Sequence, residues 1–157
     1  MLSQVKECRL NTMSKLQNYK FTYNGTVSFT LLEEMRLERE NRTAYEDRFQ
    51  LISPDGTLRL CIEFFTSSKS ARELIEELYS LTEHDFILPP CSVTTPTGID
   101  GYFTTYKIGD DCYEECTLDL GGDTRINFWF LYKASKHCNR DLYEQVKNEL
   151  LDNVKIS

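Results

Sequence analysis

The sequence predicts an α+β protein in which an antiparallel β-sheet is flanked by helices. Residues 101–133 resemble three consecutive strands, because segments of alternating or aromatic residues are separated by glycine turns. Two segments, 70–82 and 140–153, instead carry apolar residues at helical spacing. Strands that follow one another through tight turns, with helices before and after them, are typical of this class.

The segment 124–132 is predicted to be the central strand of the sheet. It is rich in aromatic and β-branched residues and contains neither proline nor glycine. A period of two places apolar side chains on both faces, with Ile126, Phe128, Phe130 and Tyr132 on one and Trp129 and Leu131 on the other. An amphipathic helix is the rival interpretation, but the Gly121-Gly122 turn just before the segment favours a strand.

The sequence predicts an N-terminal arm followed by the main domain. Residues 1–18 are interpreted as an N-terminal arm or short helix, and residues 19–157 as a single α+β domain. Asn24-Gly25 predicts a hairpin turn. The alternating charges of residues 33–48 fit either an interaction surface or a solvated strand or loop. Beyond them, segments 49–52 and 58–65 predict two strands joined by a Pro-Asp-Gly turn.

The two predicted helices have recognisable boundaries. Ser70 and Glu73 form the pattern of a capping box at the start of the first helix. Between the first helix and the meander, Pro89-Pro90 and the segment 91–98 predict a loop or irregular edge outside the sheet centre. The second helix is expected to bury a stripe of four apolar residues, Leu142, Val146, Leu150 and Val154.

Composition limits the possible partners and the cellular compartment. The formal charge of −7 and a pI near 4.9 argue against a general nucleic-acid or anionic-membrane surface, because both need clustered lysine and arginine. No apolar run reaches the roughly 20 residues that span a bilayer, and the N-terminus lacks the apolar segment of a secretory signal. The six cysteines are irregularly spaced, which favours reduced thiols. We therefore expect a cytoplasmic protein.

Three short stretches give the chain a resemblance to a known family. They are SFTLLEE at 28–34, SPDG at 53–56 and DNVKIS at 152–157, set in the order strand, strand pair, helix, meander and closing helix. In this order the chain resembles the PsbP-like family, which includes photosystem PsbP proteins, Ran-binding Mog-type proteins and uncharacterised bacterial members. The resemblance implies a PsbP-like α/β/α sandwich and a non-catalytic binding role, and it transfers no site residue.

Cysteines and histidines are considered first as metal ligands or nucleophiles. Cys112, Cys116, His137 and Cys138 are ligand types that zinc accepts. Residues four apart on a strand are about 13 Å apart, however, too far to share one ion. A thiol nucleophile needs a nearby base, and His84 and His137 are the only histidines. The sequence therefore predicts no metal, no cofactor and no catalytic residue.

Acidic residues give the one candidate binding surface. Between residues 108 and 124 there are six carboxylates and no lysine or arginine; the six are Asp110, Asp111, Glu114, Glu115, Asp119 and Asp123. A patch of one sign can steer a partner of opposite charge, so these residues could dock a protein with a basic surface. The alternative is a sheet edge that its charges protect from aggregation.

Two functions from different classes follow from these observations. The first is a non-enzymatic binding or adaptor domain that engages a protein partner through the acidic residues. The alternative is a small-molecule-binding or thiol-dependent catalytic domain with a pocket between sheet and helix. A deep pocket with convergent polar groups would favour the alternative, whereas a filled core and a flat acidic face would favour the adaptor.

Overall fold

A computed structural model of the chain describes residues 2–6, 15–22, 26–31, 35–43, 46–81, 85–133 and 140–156. Within these residues it has eleven strands and two helices. The strands are β1 (Leu2–Lys6), β2 (Lys15–Thr22), β3 (Thr26–Leu31), β4 (Arg36–Arg42), β5 (Glu46–Ile52), β6 (Leu58–Thr66), β7 (Asp85–Thr94), β8 (Asp100–Ile108), β9 (Asp111–Gly121), β10 (Thr124–Lys133) and β11 (Lys155–Ile156). The helices are α1 (Ala71–Leu81) and α2 (Arg140–Asn153).

The predicted α+β class, with its α/β/α sandwich, is wrong: the fold is mainly β. The two described helices have 11 and 14 residues, whereas seven strands join in one sheet and four in another. Strand content exceeds the prediction at the start of the chain, where β1 and β2 lie in a region that the sequence permitted to be an arm or a short helix. The strand β7 continues through Pro89 and Pro90 at the edge of the sheet, which agrees with the predicted irregular edge rather than with a loop. Proline is tolerated there because β7 is an edge strand with register shifts.

The large sheet has the strand order β4-β5-β6-β10-β9-β8-β7, and every neighbouring pair in it is antiparallel. The meander β8–β10 and the hairpin β5–β6 are confirmed as predicted, and β10 is the middle strand. The small sheet has the order β1-β2-β3-β11. In the small sheet β2 pairs with β3 around Asn24-Gly25, whose turn lies outside the described residues.

The main core lies between one face of the large sheet and α2. This face presents alternate residues of β6 and β10, among which Phe64, Phe128 and Phe130 are fully buried. The ring of Tyr143 on α2 packs edge-on against Phe130 at 5.5 Å and stacks on Tyr132 at 4.4 Å between centroids. Each such buried aromatic or aliphatic side chain contributes about 1.5–3 kcal/mol to folding.

The stripe of α2 is confirmed in three of its four positions. Val146, Leu150 and Val154 are fully buried, whereas Leu142 is only partly buried. Tyr143, which the stripe did not include, takes the remaining core position.

The helix α1 lies on the opposite face, against β7, β8 and β9. Its first turn is held from two sides, since Ser70 Oγ accepts a hydrogen bond from the Glu73 amide at 3.2 Å and Asp119 Oδ1 accepts one from the Ala71 amide at 3.1 Å. The helix therefore starts against the β9–β10 hairpin.

The charged segment 36–42 forms the edge strand β4, with all seven residues exposed. Three of its charges are paired with neighbours: Arg42 Nε lies 2.8 Å from Glu40 Oε1, and Glu38 Oε2 lies 3.4 Å from Arg59 Nε. The exposure of residues 36–42 agrees with the predicted solvated strand, whereas Asp47, in the same predicted segment of residues 33–48, is buried in β5. Neither of the two described helices is long and apolar enough to cross a membrane.

Candidate functional site

The structure does not bring the six predicted carboxylates to one face. Asp110 and Asp123 are exposed, and they lie in the turns at opposite ends of β9. Asp111, half-buried, opens β9 beside the first of these turns. The Oδ1 atom of Asp119 accepts a hydrogen bond from the Ala71 amide at the start of α1 and lies 3.0 Å from Arg125 Nε. A single acidic docking face is therefore not formed.

The two central carboxylates point to opposite sides of the sheet, because successive side chains of a strand alternate. Glu114 lies in the core face beneath α2 and is only 3% exposed. Its Oε2 lies 3.5 Å from Lys147 Nζ. Burial raises the pKa of Glu114 to about 7, although Lys147 opposes that rise. Glu115 instead faces α1, where it lines a pocket.

The pocket between α1 and the large sheet has a volume of about 180 Å³ and opens to solvent on one side. Its polar lining comes from the sheet and consists of Glu63, Glu115, Thr117 and Asn127. Its apolar lining consists of Phe65 of β6 and of Leu74, Ile75 and Leu78 of α1. We call it the α1 pocket. Polar groups thus converge on the sheet wall beside Phe65, and the helix wall is hydrocarbon, as in many ligand sites.

Strand register explains why these polar side chains meet. Thr117 of β9 is directly opposite Asn127 of β10, which is itself opposite Glu63 of β6. Residues directly opposite on one face have Cβ atoms about 4.5–5.5 Å apart. The row continues to Arg48 of β5, whose Nη2 donates to Glu63 Oε2 at 3.1 Å. One polar row therefore crosses four strands beside the helix.

Glu115 is held in the α1 pocket by two hydrogen bonds. Its Oε2 accepts a hydrogen bond from the Tyr106 hydroxyl at 2.7 Å, and its Oε1 accepts one from Asn127 Nδ2 at 3.2 Å. Asn127 Oδ1 in turn accepts from the Thr117 hydroxyl at 2.9 Å. Burial raises the pKa of Glu115, and the hydrogen bonds from Tyr106 and Asn127 act in the opposite direction.

A column of stacked aromatic rings runs beside the pocket. The ring centroids of Tyr106 and Tyr113 are 5.2 Å apart and those of Tyr113 and Trp129 are 5.6 Å apart, in each pair with planes at 14°. Trp129 is directly opposite Glu115 in the register of β9 and β10. The stack holds Tyr106 in place, and burial raises the pKa of that phenol, so that it stays a neutral donor to Glu115.

The four described cysteines are free thiols. Cys61 lies on the α1 side of the sheet, opposite Trp129, and is 6% exposed. Burial, with a further contribution from Glu63, raises its pKa to about 12. Cys112 and Cys116 are buried in the core on the opposite face. Cys61 is therefore a protonated thiol at neutral pH, which is a poor nucleophile.

Of the four residues considered as zinc ligands, His137 and Cys138 lie outside the described residues, as does His84, which was considered as a base. Cys112 and Cys116 are described and buried. Within the described part of the chain, no three His, Cys, Asp or Glu residues are grouped as metal ligands would be.

A second, larger pocket of about 360 Å³ is lined by Thr97, Gly98, Ile99 and Lys155. Its threonine is already engaged, because Thr97 Oγ1 donates to the carbonyl oxygen of Val154 at 2.7 Å. Lys155 is exposed. This pocket therefore offers fewer convergent polar groups than the α1 pocket.

Comparison of the chain with models of known protein families and with curated proteins gives no significant match. The resemblance to the PsbP-like family is thus neither supported nor refuted. The geometry of the α1 pocket is therefore the basis for assigning a function.

Proposed function

We propose that this protein is a small-molecule-binding domain whose site is the α1 pocket. The observation that carries the proposal is the convergence of Glu115, Asn127 and Thr117 opposite an apolar helix wall. A cavity of about 150 Å³ with apolar walls holds a benzene molecule. The pocket volume of about 180 Å³ therefore suits a ligand of benzene size with one polar group.

Simple binding is favoured over thiol-dependent catalysis. The nearest described thiol on this face is that of Cys61, and its pKa of about 12 leaves almost no thiolate at neutral pH. Asp119, Glu63 and Glu115 are all held by structural hydrogen bonds or ion pairs. The pocket thus provides fixed acceptors and an apolar surface, which are the elements of recognition rather than of nucleophilic attack.

A cytoplasmic, reducing location belongs to this proposal. Its support is the free state of the described thiols, three of which are buried as small apolar residues within packed strands.

Chemical-shift mapping of the protein amides tests the proposal. A set of small aromatic and aliphatic compounds is added at millimolar concentration, and shifts are expected at α1, β9 and β10. The variant Leu78→Phe places a larger side chain in the α1 pocket and is expected to abolish these shifts. The matched control is Leu81→Phe on the same helix, because Leu81 is 75% exposed and lies outside the pocket. Shifts that persist in Leu78→Phe would refute the site.

The prediction of a protein partner with a basic surface stays open to a separate test. Asp110 and Asp123 are the two exposed members of the predicted acidic set, whereas Glu114 and Asp119 support the fold. Replacing Asp110 and Asp123 with lysine is expected to weaken capture of a protein with a basic surface without disturbing those supporting contacts. Unchanged capture would remove these two positions from the docking hypothesis.

A further inference from the structure

We propose that the ligand of the α1 pocket is a small organic cation with an apolar body, such as a primary aryl-alkyl amine, and that Glu115 binds its ammonium group. This inference rests on the proposed function, since it names the ligand class of the same site. It is carried by three features of the pocket: an unbalanced carboxylate, free acceptor positions on that carboxylate, and an apolar wall of limited size.

The carboxylate of Glu115 is not paired with a cation in the part of the chain that the structure describes. Among the residues that the structure describes, no lysine or arginine lies within ion-pair distance of it. Glu63, the other acid of the pocket, is paired with Arg48 at 3.1 Å. Thr117 and Asn127 are neutral. A half-buried carboxylate without a counter-ion is unfavourable, and a ligand cation would remove that penalty.

The same carboxylate is held ready to accept further hydrogen bonds. An ionised carboxylate offers about four acceptor positions. Tyr106 and Asn127 occupy one on each oxygen, at 2.7 Å and 3.2 Å. Both donors are neutral, so they orient the group without cancelling its charge. The remaining acceptor positions suit the N–H groups of an ammonium ion, and bonds of this charge-assisted kind are the stronger ones.

The apolar wall decides between an organic cation and a metal ion. Hard cations such as Ca²⁺ take about six to eight oxygen ligands. Here one unbalanced carboxylate faces Leu74, Ile75 and Leu78, which supply only hydrocarbon. Opposite the carboxylate, the pocket of about 180 Å³ has room for a group of benzene size. An anionic ligand is disfavoured by the two carboxylates of the lining and by the net charge of −7.

Three probes of nearly equal size distinguish the contribution of ligand charge to affinity from that of the apolar group. They are 2-phenylethylamine, 2-phenylethanol and phenylacetate, which are cationic, neutral and anionic, respectively, at neutral pH. Affinity is read from amide chemical shifts and from the indole N–H signal of Trp129. That signal is easily assigned because Trp129 is the only tryptophan of the chain. It reports on the site because Trp129 is directly opposite Glu115 in the strand register.

The wild-type protein is expected to bind the amine about tenfold or more tightly than the alcohol, from the usual strength of a hydrogen bond to a charged group. In Glu115→Gln the ratio of amine to alcohol affinity should fall to near one, while the alcohol affinity changes little. The control Glu76→Gln removes an acid that lies on the exposed side of α1 and pairs with Arg72 at 2.9 Å. This control should keep the wild-type ratio. Thermal unfolding of each variant confirms that it is folded.

The outcomes separate this inference from the proposed function. If the alcohol or phenylacetate binds as tightly as the amine, the cation inference is overturned and the pocket remains a ligand site. If Glu115→Gln keeps the preference for the amine while folded, Glu115 is not the recognising group and the inference fails. If none of the three probes shifts the amides of α1, β9 and β10, both this inference and the proposed function are refuted.

Discussion

Replacement of Glu114 by Gln should alter how the stability of the fold depends on pH. Glu114 lies between β9 and α2 with 3% of its surface exposed, and its only described ion pair is to Lys147. Burial raises its pKa from the ordinary value of 4.5 to about 7, while Lys147 opposes this rise and Glu144 adds to it. The glutamine side chain is nearly the same size and carries no titrating proton.

The sign and size of the effect follow from proton linkage. Between pH 4.5 and about pH 7 the unfolded chain has lost the proton of this carboxyl group, whereas the folded protein retains it. Unfolding therefore releases a proton, and the free energy of unfolding falls as pH rises through this window. At about 1.4 kcal/mol per pH unit, the whole window corresponds to roughly 3 kcal/mol, or on the order of 5–10 °C in Tm.

The assay is the difference in unfolding free energy between Glu114→Gln and wild type, measured by urea unfolding below pH 4.5 and above pH 7. The contributions of other titrating groups cancel in this difference. As pH rises across the window, the free energy of unfolding of the variant should therefore increase by roughly 3 kcal/mol relative to that of wild type. Glu144→Gln is the matched control, because Glu144 also contacts Lys147 Nζ at 3.5 Å but is 41% exposed. A difference that stays constant with pH for Glu114→Gln would refute the reasoning.

Three further changes test other parts of the fold. Asp119→Ala removes the acceptor that holds Arg125 Nε at 3.0 Å and caps α1, and it should lower the free energy of unfolding by about 1–3 kcal/mol in urea. Gly101→Ala places a Cβ 2.4 Å from the carbonyl oxygen of Thr117, so overpacking should destabilise the protein by about 1–3 kcal/mol in the same assay. Among the described cysteines, Cys91 should be alkylated first by iodoacetamide, because the other three are buried; peptide mass spectrometry gives the order.

Each of these predictions has a control or an outcome that would contradict it. Asp123→Ala removes an exposed acid next to the same hairpin and should leave stability nearly unchanged. An unchanged urea midpoint for Gly101→Ala would mean that β8 and β9 move apart at little cost. In denaturing urea all cysteines should react at similar rates, and faster labelling of Cys61 than of Cys91 in the folded protein would contradict the burial assigned to it.

The strands with one or two apolar faces could be predicted from the sequence. In β10 the alternation of side chains is a local property, and Ile126, Phe128 and Phe130, which that alternation places on one face, are fully buried. The fold class could not be predicted in the same way. Pro89 and Pro90 signal a break locally, but an edge strand needs ladder hydrogen bonds on one side only, so β7 tolerates them.

The α1 pocket could be predicted only in outline. The possibility of a pocket between sheet and helix follows from an amphipathic helix next to a sheet, and Glu115 stands out as one of six acids. Its neighbours are set by register between strands distant in sequence, since Asn127 is opposite Glu63 of β6 as well as Thr117 of β9. No local pattern specifies that register. The charge count grouped Glu114 with Glu115, although the pleat sends them to opposite faces.

The position of the pocket follows from the size of α1. At about 1.5 Å per residue, its 11 residues span roughly 16 Å. Seven strands about 4.8 Å apart give the sheet a width of roughly 29 Å. The helix therefore covers only part of its face, and it lies on β7, β8 and β9. The pocket forms where this cover ends, over the polar row of β9, β10 and β6. The strands β10 and β6 are left largely uncovered by α1 on this face, so Asn127 and Glu63 line an open pocket together with Glu115 rather than a closed core.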